Sequence, residues 1–171
     1  MGYFEKVFRA LNKEKVKYLV VGGVAVNLHG YLRATGDIDI LLLLEEGNLL
    51  RMKKAMEELG YIERLPISIQ NLKDHKQVKK WLKEKGMTAF AFSPPPYNPL
   101  MLDILVEESL KFEDANKKSI KKIFEGVTIP VVCIQDLIRM KKKSDREKDM
   151  IDLKALIKLK NLGEIVLLKN G

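Results

Sequence analysis

The sequence is nearly free of cysteine. Its only cysteine, Cys133, excludes an internal disulfide framework and a zinc site built from thiolates. Internal repeats and low-complexity segments are absent as well. The longest uncharged stretch, Tyr18 to Leu32, is too short to span a membrane and contains Asn27 and His29. The first residues lack the apolar region of a signal peptide and the Ser or Thr of a myristoylation signal. These absences predict a soluble, cytoplasmic protein with no membrane partner.

The composition allows a folded domain with a substantial core. The chain has 171 residues, of which 46% are apolar and 32% are charged. That length fits one domain, or one domain with a small helical addition. Lysine and arginine number 31 against 23 aspartates and glutamates, which gives a formal net charge of +8. The excess is compatible with a polyanionic partner or a phosphate-rich ligand but does not require either.

The hydrophobic pattern changes character near residue 134. Before it, short apolar runs bounded by turn residues predict strands that alternate with helices, and after it only helices are predicted. Strands are predicted at 18–21, 38–44, 88–92, 100–106, 120–124 and 127–132, with a strand or irregular edge at 61–67. Helices are predicted at 3–15, 24–28, 49–59, 72–84, 134–143 and 147–160. The expected fold is α/β (α+β): a mixed sheet flanked by helices over residues 1–133, with residues 134–171 as a C-terminal helical segment packed on that core.

Gly22 and Gly23 separate the first predicted strand from a short helix. Glycines at this point let the backbone approach a ligand closely, and the start of the helix offers free N–H groups that suit a phosphate. Taken alone, a Gly-Gly pair is more often an ordinary turn.

Asp37 and Asp39 stand at the beginning of a very apolar strand. Alternate residues of a strand project from the same face, so the two carboxylates lie side by side and repel each other. A divalent cation removes that cost, and Mg²⁺ prefers carboxylate and phosphate oxygens. The alternative is a polar strand start that faces water.

Asp103 is the only charged residue in the apolar run from Leu100 to Val106. A lone carboxylate within an apolar strand is unfavourable unless it is paired or binds a metal. If this strand neighbours the strand of Asp37 and Asp39, three carboxylates converge. Three acids beside a phosphate-binding turn are typical of two-metal phosphoryl or nucleotidyl transfer.

These segments together resemble the DNA-polymerase-beta-type nucleotidyltransferase superfamily. The similarity lies in residues 22–40, which contain the two glycines, Arg33-x-Thr35 and the Asp37-x-Asp39 pair, followed by a later third aspartate. It is strongest to the small prokaryotic branch that includes AbiEii-type toxins of toxin–antitoxin systems. A second segment, residues 136–152, resembles the C-terminal helical motif of that branch. The resemblance extends over roughly residues 18–160.

The resemblance implies a nucleotidyltransferase fold and a role for each motif residue. Gly22 and Gly23 would hold the triphosphate of an incoming NTP. Asp37, Asp39 and Asp103 would bind two Mg²⁺ ions, and Asp103 would also help to activate the attacking hydroxyl. The second glycine is a departure, because many members of the superfamily have a serine there and would contact phosphate through its hydroxyl.

Three further residues are assigned to the nucleotide site. Arg33 either steers the triphosphate or the acceptor into the acidic site, or is a solvated loop residue. Thr35 is expected to brace the loop before Asp37 through a side-chain-to-backbone turn. Lys141 would, by the resemblance, reach a phosphate from the helical segment. The sequence also predicts a basic rim formed by Arg33, Arg139, Lys141, Lys142 and Arg146. The acids Asp145, Asp149 and Asp152 either orient Lys141 or Arg146 or form a charged surface.

The sequence therefore predicts a Mg²⁺-dependent enzyme that transfers a nucleoside monophosphate from an NTP to a hydroxyl. The leading hypothesis is the toxin-like enzyme of a toxin–antitoxin pair, which acts on RNA or protein and has an antitoxin partner. The alternatives are nucleotidylation of a small molecule of the antibiotic type, and a scaffold that binds nucleotide without turnover. The three intact acids argue against the last of these.

Overall fold

The computed structural model describes residues 2–106, 110–144 and 146–169. The helices are α1 Tyr3–Lys13, α2 Gly22–Leu28, α3 Glu46–Glu58, α4 His75–Lys85, α5 Phe112–Lys117, α6 Ile134–Lys142 and α7 Glu147–Lys169, and a 3₁₀ helix spans Ile69–Lys73. The strands are β1 Tyr18–Val20, β2 Asp37–Leu42, β3 Ile62–Glu63, β4 Ala89–Ser93, β5 Met101–Leu105, β6 Ile120–Phe124 and β7 Val127–Val131.

The strands of the described residues form one mixed sheet in the order β3-β4-β5-β2-β1-β7-β6. The pairs β2–β5 and β1–β7 are parallel, and the other neighbours are antiparallel. Strands β1 and β2 therefore lie in the middle of the sheet. All three residues of β1 are buried, as expected for a central strand that is covered on both faces. The predicted fold class, a mixed sheet flanked by helices, is confirmed.

Helix α1 covers one face of this central region. Its apolar residues Val7, Phe8 and Leu11 recur at helical spacing and are fully shielded from solvent. The ring of Phe8 stacks on that of Tyr18 with 6.3 Å between centroids. The apolar face of α1 thus packs against β1.

Local signals account for most of the element boundaries. The predicted hairpin at Glu125-Gly126 is confirmed, and both residues have the positive φ, 48° and 75°, that a two-residue turn of type I′ requires. The helix predicted at 72–84 begins later, at His75. It does so because the side chain of Asp74 accepts hydrogen bonds from the N–H groups of Lys76 and Gln77, at 3.0 and 3.1 Å.

Helix α5 was not predicted from the sequence. It has six residues and one buried side chain, Ala115, so it is too short to establish an apolar periodicity. Helix α7 extends beyond the predicted 147–160 and reaches Lys169. Helix α6 contacts both α7 and α2, which joins the C-terminal helices to the sheet domain. The division of the chain at residue 134 stays a prediction. Among the described residues, no helix is long and apolar enough to cross a membrane.

Candidate active site

The turn between β1 and α2 is pressed against β2 at Asp39. Gly22 has φ +61°, and a Cβ atom added there would lie 2.6 Å from Cγ and 2.7 Å from Cβ of Asp39. The N–H of Val21 donates to the carbonyl of Asp39 at 2.9 Å, and the backbone of Gly23 is close enough to the Asp39 carboxylate to lower its pKa. Glycine is required at position 22 both by backbone conformation and by the lack of space.

Pairing of β2 with β5 brings the acids together. The two strands are parallel, and Asp39 is the direct partner of Asp103 while Asp37 is the partner of Met101. Directly paired residues of neighbouring strands share a face, and Asp37 shares that face because it precedes Asp39 by two positions. Asp37 is exposed, whereas Asp39 and Asp103 are half-buried. The predicted neighbourhood of the two acidic strands is confirmed.

The metal-free carboxylates destabilise one another. Burial, followed by the charges of Asp39 and Asp37, raises the pKa of Asp103 to about 6, against a smaller opposing effect of Arg64. Burial and the charge of Asp37 also raise the pKa of Asp39. The nearby cations Lys141 and Arg146 and the N–H of Gly23 oppose this rise. The local excess of negative charge therefore favours the binding of a cation beside these carboxylates.

The donor atoms fit a hard divalent cation. The Oδ1 atom of Asp103 is buried and has no hydrogen-bond partner, so one carboxylate oxygen is desolvated without compensation. Carboxylate oxygens on adjacent strands are the ligands that Mg²⁺ prefers. Across residues 2–106, 110–144 and 146–169, no three acidic, histidine or cysteine side chains already converge as a metal cluster.

The loop after α2 carries Arg33 and Thr35 directly over Gly23. A Cβ atom added at Gly23 would lie 2.6 Å from Thr35 Oγ1 and 2.9 Å from Arg33 Nη2. The Thr35 hydroxyl donates to the carbonyl of Asp37 at 3.3 Å, which confirms the predicted bracing of this loop. The Asn27 side chain bonds both the N–H and the carbonyl of Arg33, at 3.0 and 2.9 Å, and anchors the loop to α2.

Arg33 is not a solvated loop arginine. Its Nε and Nη2 atoms donate to the two carboxylate oxygens of Asp152 on α7, at 2.7 and 2.9 Å. Asp152 is fully buried, and its other partner is Lys141, with 2.9 Å between Nζ and Oδ2. Burial alone would raise the pKa of Asp152, but the hydrogen bonds from Arg33 and Lys141 lower it. One buried carboxylate therefore connects the loop over Gly23 to the C-terminal helices.

Lys141 occupies a buried ion-pair network instead of projecting freely toward a ligand. It is 7% exposed and contacts both Asp152 and the fully buried Asp149. Burial opposes ionisation of Asp149, yet hydrogen bonds from Lys141 and Ser144 and the charge of Arg146 lower its pKa to about 2. The Lys141 ammonium group is nevertheless close enough to Asp39 to lower the pKa of that acid. Lys141 thus lies near Asp39 with two carboxylate partners already in place, and its contact with a phosphate stays a prediction.

The sequence left open whether the acids of this network orient a cation or form a charged surface. Asp149 and Asp152 hold Lys141, which favours the orienting role over the charged surface, while Asp145 lies outside the described residues. The available signal was their spacing of three on the first turns of α7, which places both on one helix face. The basic rim is also smaller than predicted. Among its members, the exposed side chains are Arg139, Lys142 and Arg146.

Comparison with known proteins identifies the chain as a nucleotidyltransferase. Residues 4–167 match the profile of the family described as "Nucleotidyltransferase of unknown function (DUF6036)", and the chain belongs to this family. No curated protein matches the chain at a significant level. The family match establishes the superfamily that the motifs indicated, but it does not distinguish the AbiEii-type branch.

Solved structures with the same fold are remote in sequence. The lincosamide antibiotic adenylyltransferase LnuA, solved with lincomycin, has a TM-score of 0.60 and 16% identity over 92% of this chain and 96% of its own. The antibiotic-resistance factor ANT(2'')-Ia has a TM-score of 0.62 and 12% identity over 98% of this chain and 88% of its own. A Thermotoga maritima protein described as a nucleotidyltransferase, TM1012, has a TM-score of 0.55 and 17% identity over 95% and 89% of the two chains. These likenesses establish the fold.

Proposed function

We propose that this protein transfers a nucleoside monophosphate from an NTP to the hydroxyl of an acceptor and releases pyrophosphate. The observation that carries the proposal is the direct pairing of Asp39 with Asp103 beside the Gly22 turn. Half-buried carboxylates whose charges oppose each other are stable only with a cation or a proton, and a glycine turn at a helix start accepts phosphates. Both ligands of the reaction, metal ion and triphosphate, thus have matching groups on neighbouring elements.

Each predicted site residue has a place in this reaction. Asp37, Asp39 and Asp103 would hold Mg²⁺, which when bound polarises phosphate oxygens and lowers the pKa of an attacking hydroxyl. Gly22 and Gly23 would contribute backbone N–H groups to the phosphates at the start of α2. A side chain at either position would collide with Asp39 or with Thr35 and Arg33. These residues bind and position the reactants, which is the main source of rate in phosphoryl transfer.

The cations divide the site into two sides. Lys141 and Arg146 act on Asp39, whereas Arg64 acts on Asp103. We assign the Asp39 side to the triphosphate, because Gly22, Gly23 and Lys141 all lie there. In this arrangement Arg33 and Thr35 shape the phosphate site from above Gly23. Arg33 would act through its ion pair with Asp152, which keeps the loop closed over the glycines.

The acceptor class defines two biological proposals. The motif resemblance to AbiEii-type toxins favours RNA or protein as acceptor, with an antitoxin as partner. The fold likeness to LnuA and ANT(2'')-Ia, whose names describe antibiotic modification, favours nucleotidylation of a small molecule. The intact acid set supports turnover in either case, rather than nucleotide binding alone.

A transfer assay tests the proposed reaction. The protein is incubated with Mg²⁺, each of the four NTPs labelled at the α-phosphate and an acceptor pool of RNA, protein or small molecules, followed by mass spectrometry. We expect a nucleotide-sized mass increment in one pool, and at least about a hundredfold less of it with Asp39→Asn. Asp114→Asn on α5, whose side chain is 63% exposed, is the matched control and should react like the parent. NTP binding without any transfer would leave only the scaffold alternative.

A further inference from the structure

Beyond Asp103, the sheet continues with residues of β4 and β3 that the proposed nucleotide site does not include. Asp103 pairs with Ala91 on β4, and the N–H of Arg64, which follows β3, donates to the carbonyl of Ala91 at 3.0 Å. The backbone order across four neighbouring segments is therefore Asp39, Asp103, Ala91, Arg64. Directly paired residues share a face, so this row extends from the acids to the far edge of the sheet.

A second row runs parallel to the first and completes a floor. It starts with Asp37 and its partner Met101 on β5, and it includes Ser93 on β4 with its partner Ile62 on β3. Ser93 follows Phe92, the partner of Leu102, so the β4–β5 register places it beside Met101. Ala91 and Ser93 are small and only half-buried, and Ile62 is 66% exposed. The floor beside Asp103 is thus partly open to solvent and weakly polar. It lies on the side opposite the glycines, where a second substrate can approach.

One cation stands at the far edge of this floor. Arg64 is exposed, and no carboxylate among the described residues forms an ion pair with it. Neighbouring strands are about 4.8 Å apart, so Arg64 follows Asp103 at roughly 10 Å, two strand spacings away. Its guanidinium is suited to a phosphate, which it binds through paired hydrogen bonds. The positive charge of Arg64 would oppose the binding of a polycationic acceptor.

We propose that the floor formed by Met101, Ala91 and Ser93 binds the acceptor, with its hydroxyl at Asp103 and a phosphate group of the acceptor on Arg64. This inference rests on the proposed function and specifies its second substrate as a phosphate-bearing hydroxyl compound. Arg64 is then the residue that selects the acceptor. The phosphate belongs either to a free nucleotide or to the terminal nucleotide of an RNA strand, and the two sources share this chemistry.

Binding probes test the proposal without requiring turnover. The protein is saturated with Mg²⁺ and a non-hydrolysable NTP analogue, which occupies the nucleotide side. Binding of adenosine, adenosine 5′-monophosphate, a short oligoribonucleotide and tobramycin is then measured by calorimetry. We expect at least about tenfold tighter binding of a phosphate-bearing probe than of adenosine, the gain typical of one charge-assisted hydrogen-bond pair. Preference for the monophosphate or for the oligoribonucleotide identifies the source.

The variant Arg64→Gln should abolish this preference and leave NTP affinity unchanged. Arg9→Gln is the matched control, because Arg9 is an exposed arginine near Gly126, at the opposite edge of the sheet. Equal binding of the phosphate-bearing probe to Arg64→Gln and parent, or tighter binding of tobramycin, would overturn the proposal. So would the absence of any binding of the phosphate-bearing probes.

The same variants separate this inference from the reaction itself. In the transfer assay, Arg64→Gln should raise the KM for a phosphate-bearing acceptor at least about tenfold, with little effect on the KM for NTP. If transfer occurs and Arg64→Gln has the parent's acceptor KM, the reaction stands and the acceptor site is wrong. If Arg64-dependent phosphate binding is found without transfer, the binding site stands and the proposed reaction is wrong.

Discussion

Removal of the Asp103 charge should stabilise the metal-free protein. Burial and two neighbouring carboxylates raise the pKa of Asp103 from 3.8 to about 6. A folded-state pKa above the unfolded one means that the contribution of this group to stability is complete below about pH 4 and is lost as the pH rises through about 6. At pH 8 the charged carboxylate therefore opposes folding, and Asp103→Asn removes that opposition.

The expected gain is modest. A shift of about 2 pKa units corresponds to about 3 kcal/mol at 1.36 kcal/mol per unit. Because Asp103 is only half-buried, solvent screening reduces this to roughly 1–2 kcal/mol. Such a change raises the melting temperature of a domain of this size by about 2–8 °C. The change should be close to zero at pH 4, where the parent carboxyl is largely protonated in the folded state.

Urea unfolding in EDTA at pH 4, 6 and 8 measures this effect directly. Asp103→Asn and the parent should differ at pH 8 and converge at pH 4, with equal dependence of the unfolding free energy on urea. Asp114→Asn, a change at an exposed acid of α5, should stay within about 0.5 kcal/mol of the parent at every pH. Addition of Mg²⁺ should reverse the order, because the parent gains more binding energy than the variant.

One result would refute this reasoning. If Asp103→Asn is less stable than the parent at pH 8 without metal, the carboxylate has a stabilising partner in the fold. Asp103 would then be a structural residue, and the argument from carboxylate repulsion to a cation site would fail.

Three further predictions concern the ion-pair network and the glycine turn. Asp152→Asn should lower the unfolding free energy by about 3 kcal/mol, near the lower end for a buried ion pair, because Lys141 keeps Asp149; a urea midpoint equal to that of Asp114→Asn would contradict this. Gly22→Ala should destabilise the fold itself, since φ is +61° and the added methyl meets Asp39, whereas Gly36→Ala, with nothing within 4 Å, should unfold like the parent. Asp149 has a pKa lowered to about 2, so its contribution to stability is present above about pH 4 and is lost as the pH falls toward 2; acid titration of Asp149→Asn should lack that loss.

The glycine turn also revises an expectation from sequence. From the sequence alone, a bulky residue at Gly23 is expected to reduce NTP affinity and leave the fold intact, because backbone must approach the ligand there. In the structure, a side chain at this position meets Thr35 and Arg33, and Arg33 is tied to Asp152. Gly23→Val should therefore lower both NTP affinity and stability. The loss of affinity alone, with parent-like urea unfolding, would show that the Arg33 loop moves aside without cost.

Local chemistry in the sequence determined the elements and the acids. The run from Tyr18 to Val20, the two glycines after it and the alternation of Asp37 and Asp39 are signals within a few residues, and each was recovered in the structure. Asp103 was identifiable for the same reason, since one carboxylate in an apolar strand is unfavourable without a partner. The motif spacing in these segments was also enough to indicate the superfamily.

Only the tertiary structure decided how these pieces meet. The pairing of Asp39 with Asp103 depends on the order of strands in the sheet, which periodicity along the chain does not encode. The bond between Arg33 and Asp152 joins residues 119 positions apart, and its existence depends on where α7 packs. Arg64 gave no sequence signal at all, because an exposed arginine beside a short edge strand is ordinary until the sheet places it in line with the acids. Long-range pairings of this kind are set by the packing of the whole core, and local propensity leaves them open.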